Sequence, residues 1–149
     1  MNSEPIKLKI HTPSQWKGQG IVAYFQATIA GGYAQRFRIV NEEGVFHDVH
    51  GETEGVLPSE FGKQFYNEKQ NVDKSQCRKE YNFRVSVDHN DGTNWKPSRM
   101  KCGDLRIEND APTGKDNAAF GIVISDDRWP GDTDFNDCVV IISLYKGRE

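Results

Sequence analysis

Residues Phe120 to Leu144 read FGIVISDDRWPGDTDFNDCVVIISL, and this stretch decides the fold. An apolar run, Phe120 to Ile124, leads into Asp126, Asp127, Asp132, Asp134, Asn136 and Asp137, and a second apolar run follows from Cys138 to Ile142. Both runs are short, the second is rich in β-branched residues, and Pro130-Gly131 marks a turn between them. The stretch therefore reads as strand, acidic turn, strand.

Five carboxylates and one carboxamide fall within twelve residues, and Arg128 is the one cation among them. Folded, such a turn gathers about five negative charges within roughly one Debye length, so a cation is expected there. Hard oxygen donors suit Ca²⁺, which takes about six to eight of them in flexible geometry; the absence of His and the single flanking Cys argue against zinc. Alternate oxygens at Asp132, Asp134 and Asn136 can point to one side of a tight loop, with Asp137 turning in as the strand begins. The EF-hand template fails, because its sixth position requires Gly and here holds Asp137. A solvated acidic turn is the plain alternative, but such turns rarely carry this many carboxylates between two buried strands.

The chain upstream keeps a β rhythm. Ile6, Leu8 and Ile10 alternate with Lys7, Lys9 and His11, ended by Pro13; Ile21 to Thr28 forms a second strand, closed by Gly31-Gly32. Phe37 and Ile39 alternate with Arg36 and Arg38, and Val45 to Val49 makes a fourth strand. Gly51 to Glu80 breaks the rhythm: it is polar, and Ser59 with Phe61, Phe65 and Tyr66 predicts one short helix, weakened by Gly62. The β pattern returns with Phe83, Val85 and Val87, and Asn90-Asp91-Gly92 marks a hairpin. Leu105 and Ile107 begin a further strand. The expected fold is all-β: one antiparallel sandwich of about eight or nine strands, of Greek-key type, with a short helical or loop insertion, forming a single domain over residues 1–149.

Bulk properties narrow the function. With 149 residues, net charge −3 and a pI of ≈ 5.8, the chain is not an obvious nucleic-acid binder. Cys77, Cys102 and Cys138 cannot all pair, so no disulfide framework is expected, although a Cys77–Cys102 bridge is open; Cys138 reads as a small buried hydrophobe. The N-terminus MNSEPIKLKIHTP lacks a long apolar segment, which predicts neither signal peptide nor membrane span. The protein is then expected in the cytoplasm or secreted without a leader.

Other constellations carry less. His47 and His50 are three apart on a strand and face opposite sides, so they do not converge as a zinc pair. Asp88, Asn90 and Asp91 are oxygen-rich, but a hairpin turn explains them. Asp127 with Asp132 could form a glycosidase pair, yet so dense a cluster binds a cation more readily than it holds one acid of raised pKa. Trp16 and Trp95 read as packing, whereas Trp129, inside the acidic turn, can contact a ligand or a neighbour.

The pattern of an apolar strand, Ser125, Asp126-Asp127, a short turn, Asp132-x-Asp134-Phe135-Asn136-Asp137 and a Val/Ile-rich final strand resembles the small calcium-mediated bacterial lectins that bind fucose and mannose. The resemblance is specific over the C-terminal acidic loop and strand. It implies one or two Ca²⁺ held by Asp126, Asp132, Asp134, Asn136 and Asp137, with sugar hydroxyls coordinating the metal directly and Asp127 near the sugar. It also implies a further metal ligand and a specificity loop near the N-terminus, where Gln26 is the nearest carboxamide and Ala27, Thr28 and Ile29 stand at the loop. The ligand-binding set is then Asp127, Asp132, Asp134, Thr28 and Trp129. Three differences stand out: a turn two residues longer, Asp126 where the family has Glu, and Arg148-Glu149 following Gly147, the position whose terminal carboxylate completes a partner subunit's site.

The expected function is calcium-dependent carbohydrate binding without catalysis, by a homo-oligomer (dimer or more), with a mannose- or fucose-type sugar as partner and no nucleic acid. Two alternatives stay open: a bacterial surface or adhesion-type β domain with a purely structural Ca²⁺, which a similar Asp-x-Asp-Phe-Asn-Asp loop also resembles, and a metal-assisted hydrolase.

Overall fold

The computed structural model describes residues 4–13, 16, 21–29, 33–42, 48–52, 59–67, 79–107, 118–127, 135 and 137–146. Among them are ten strands: β1 (Ile6–His11), β2 (Ile21–Ile29), β3 (Ala34–Asn41), β4 (Val49–Glu52), β5 (Ser59–Asn67), β6 (Glu80–Asn90), β7 (Trp95–Pro97), β8 (Arg99–Ile107), β9 (Ala118–Asp126) and β10 (Cys138–Lys146). They form two antiparallel sheets packed as a sandwich. One sheet has the order β1-β6-β3-β4, with β7 also paired to β6; the other has the order β5-β2-β10-β9-β8. The fold is all-β, as the alternating sequence pattern requires.

That alternation fills the space between the sheets. Leu8 and Ile10, Phe37 and Ile39, and Tyr81, Phe83, Val85 and Val87 point inward from the first sheet. Ile21, Ala23, Phe25, Ala27 and Ile29, then Val123, Val140, Ile142 and Leu144, meet them from the second. Each large aliphatic or Phe side chain contributes roughly 1.5–3 kcal/mol when buried. Gly121 lets the layers close: a Cβ there would stand 2.7 Å from Ile10 and Leu8 side-chain atoms. On the side where β1 meets β8, the backbone N and Nδ1 of His11 lie 3.1 and 2.8 Å from Asp104 Oδ2, and Cys102 Sγ donates to the Lys7 carbonyl at 3.4 Å.

Two expectations change. Residues 59–67 are a strand, not a helix: β5 pairs antiparallel with β2, with one register shift between Ala23 and Tyr24. The aromatic residues Phe61, Phe65 and Tyr66 suit a strand as well as a helix, and pairing along β2 satisfies backbone groups that a helix would leave unpaired on that sheet. The fourth strand begins at Val49, while residues 43–47, including His47, lie outside the described residues. Cys102 is a free thiol, and Cys77 also lies outside them. The Asn90–Asn94 hairpin explains its own oxygens: Asn90 Oδ1 accepts from Gly92 N at 2.9 Å, and Asp91 Oδ1 accepts from Thr93 N and Asn94 N at 2.9 and 3.0 Å. No described helix is long and apolar enough to cross a membrane.

Candidate functional site

The site follows from the register of two strands. β9 and β10 pair with Cys138 opposite Ser125, so Asp126 and Asp137 leave the ladder side by side. Asp137 N donates to the Ser125 carbonyl at 3.1 Å, Ser125 Oγ donates to the Cys138 carbonyl at 2.9 Å, and Asp127 N donates to Asp137 Oδ2 at 2.8 Å. These bonds fold the ends of the acidic turn back on themselves. Asp126, Asp127 and Asp137 each present a carboxylate oxygen within 4.8 Å of the others, and all three are at most 3% exposed.

Such a cluster has a definite chemical meaning. Two oxygens bound to one Ca²⁺ at about 2.3–2.6 Å are at most about 5 Å apart, so one ion can reach all three carboxylates. Burying carboxylates without a counter-charge is costly. The register of β8 on β9 supplies one cation, placing Arg99 opposite Asp126 so that Arg99 Nη2 donates to Asp126 Oδ2. Beside that guanidinium, three buried carboxylates whose oxygens lie this close together are a donor set that suits a divalent ion. The donor set is all oxygen. The neighbouring Cys138 thiol is pushed up to about 12, by burial first and then by the Asp137 charge, and its side chain belongs to the hydrophobic core rather than to the cluster.

The opposite sheet also reaches the cluster. Gln35, inward-facing on β3 and fully buried, donates from Nε2 to Asp127 Oδ2 at 3.4 Å. Phe135, in the turn, has φ +55°, the left-handed region that a bulky residue rarely occupies. Its ring lies 5.6 Å from Arg99 Cζ and 4.3 Å from Lys101 Nζ, so the turn leans on two cations of β8.

The structure therefore brings together Asp126, Asp127 and Asp137 of the residues singled out from sequence. Asp132, Asp134, Asn136 and Trp129 lie outside the described residues. Gln26 is exposed on the outer face of its sheet, opposite Ile141 and Gly62, and Thr28 is half-buried on that face opposite Val139. Ile29, opposite Cys138, is the β2 residue at the level of the cluster, about 10 Å along the strand from Gln26. Gln35 and Arg99 were not anticipated. Gln35 had a signal, a carboxamide in the inward phase of the Gln35, Phe37, Ile39 alternation; Arg99 had none.

No protein-family model matches the chain, and no curated protein matches it either. Solved structures do. The C-terminal domain of BC2L-C lectin from Burkholderia cenocepacia superposes with TM-score 0.56 at 17% identity, over 94% of this chain and 97% of that one. The Chromobacterium violaceum lectin CV2L, solved in complex with alpha-methyl-fucoside, gives TM-score 0.50 at 15% identity, over 91% and 93%. Over about nine-tenths of its length, the fold of this chain is similar to that of these bacterial lectins.

Proposed function

We propose that the chain is a calcium-dependent carbohydrate-binding protein without catalytic activity, specific for a fucose- or mannose-type sugar. The observation that carries this reading is the buried all-oxygen cluster of Asp126, Asp127 and Asp137, on a fold similar to that of lectins. Asp126 and Asp137 would hold Ca²⁺ together with Asp132, Asp134 and Asn136 of the same turn, as one ion or two. Bound Ca²⁺ would supply open coordination positions to vicinal sugar hydroxyls, a strong contact for a neutral ligand that gains little from apolar burial. Asp127 would accept a hydrogen bond from a sugar hydroxyl, and Gln35 Nε2 keeps that carboxylate in place. Trp129 and Thr28 remain candidates for contacts with the sugar.

A homo-oligomer belongs to the same reading. The outer face of the second sheet carries Tyr24, Ile122 and Tyr145 at about 40% exposure each, with Tyr145 edge-on to Tyr24 and Phe120 at 5.8 and 6.4 Å. These side chains lie on three neighbouring strands, β2, β10 and β9, so their exposed apolar surface is gathered on one face, where a partner could cover it. A second copy of the chain is the occupant we propose.

Calorimetric titration of methyl fucoside and methyl mannoside tests the function. Binding heat is expected with Ca²⁺ and none after chelation; heat that persists in excess chelator rules the mechanism out. A purely structural Ca²⁺ is the second reading, and the near-complete burial of the three carboxylates favours it. In that case Ca²⁺ raises the melting temperature and neither sugar raises it further.

A further inference from the structure

We propose that Arg99 is a resident counter-cation of Asp126, a guanidinium that a divalent ion must displace from that carboxylate before the site loads. The proposal rests on reading the cluster as a Ca²⁺ site and adds a competitor to it. Its basis is an asymmetry across one ion pair. The Asp126 side chain is 0% exposed and fixed by the end of β9, whereas the Arg99 side chain is 41% exposed at the start of an edge strand. The carboxylate is held in place, while the guanidinium has a way out to solvent.

A second seat lies beside the first. The Phe135 ring lies 5.6 Å from the Arg99 guanidinium carbon. Lys101, two residues along the same face of β8, already sits over that ring at 4.3 Å. Arg99 can therefore give up the Asp126 oxygen and keep a favourable contact with the ring. Without the ion, its charge offsets the repulsion among three buried carboxylates. With the ion, the same charge opposes a divalent cation at close range, in a setting where salt screens weakly. Arg99 thus stabilises the ion-free protein and weakens ion binding.

The full chain and its R99Q and R99K variants test this, read by melting temperature in chelator and by calorimetric Ca²⁺ affinity. R99Q is expected to melt lower in chelator yet bind Ca²⁺ about tenfold more tightly, a coupling of ordinary size for two linked sites. R99K is expected to recover most of the chelated stability and return the affinity toward that of the parent. Weaker or unchanged Ca²⁺ affinity in R99Q overturns the proposal and makes Arg99 a positioning residue for Asp126. An R99Q that folds only with Ca²⁺ supports it. If R99Q does not fold in either condition, the arginine side-chain resonances of the unaltered protein decide the matter. Those of Arg99 should lose protection when Ca²⁺ is added, and Arg99 resonances that stay unchanged on loading overturn it. A parent protein that binds no Ca²⁺ sinks the metal site itself, whereas one that binds it without moving Arg99 sinks this proposal alone.

Discussion

Two aspartates among the described residues are fully buried and paired with an arginine from the neighbouring strand. Asp88 on β6 stands opposite Arg36 on β3, whose Nε and Nη2 donate to Asp88 Oδ2 at 3.1 and 2.9 Å. Asp126 on β9 stands opposite Arg99 on β8 in the same manner. Their surroundings differ. Arg36 is covered by the Trp95 ring, 4.2 Å from its Cζ, and its side chain is 21% exposed, so the pair is closed on both sides. Arg99 is 41% exposed, and its aspartate adjoins Asp127 and Asp137. One arrangement closes a structure, and the other leaves room for an exchangeable ion. The pairing is shared; the neighbours decide the role.

Breaking the closed pair should cost most. R36A leaves Asp88 buried without this guanidinium, and a loss of about 3–5 kcal/mol is expected in chemical denaturation. The loss should be equal with Ca²⁺ and with chelator; a Ca²⁺-dependent loss would show that the two pairs are not separate.

The open pair should respond in the opposite way to its surroundings. D137N keeps an oxygen to accept from Asp127 N but removes one charge, so the chelated protein should melt at the same temperature or higher. The Ca²⁺-induced gain should largely vanish, a difference of about 2.7 kcal/mol when Ca²⁺ stands at a hundred times its Kd. A D137N variant that keeps the full gain would remove Asp137 from the metal site.

The smallest effect belongs to an ion pair on the surface. Burial pushes the Asp104 carboxyl up, but hydrogen bonds from the His11 ring and backbone, with the His11 and Arg106 charges, outweigh it and hold Asp104 below its ordinary value. A depressed carboxyl stabilises the fold above its unfolded pKa of about 3.9, and the gain disappears as pH falls through the lower folded value. D104N should therefore cost under about 1 kcal/mol near neutral pH and nothing in strong acid, measured as stability against pH. A penalty independent of pH would mean that packing, not charge, joins β1 to β8.

What the sequence disclosed depended on distance along the chain. Asp126 and Asp137 were legible as neighbours because two apolar strands flank them directly and must pair. The inward and outward phases of β1, β3 and β6 were legible from alternation alone. Arg99 and Gln35 were not, since they come from 27 and 92 residues away, and only the β8–β9 register and the packing of the opposite sheet bring them in. Residues 59–67 misled for a related reason: local propensity there is ambiguous, and the partner that settles it, β2, is remote in sequence.

Gly121 carries a mechanical consequence. Because hydrogen is all that separates β9 from the Leu8 and Ile10 side chains there, the N-terminal strand bears directly on the strand that ends in Asp126. Five residues of extended backbone link that bearing point to the carboxylate, a lever of about 17 Å. A methyl group at this spot would tilt the lever, so a packing defect in the first strand and a fault at the far rim could share one phenotype.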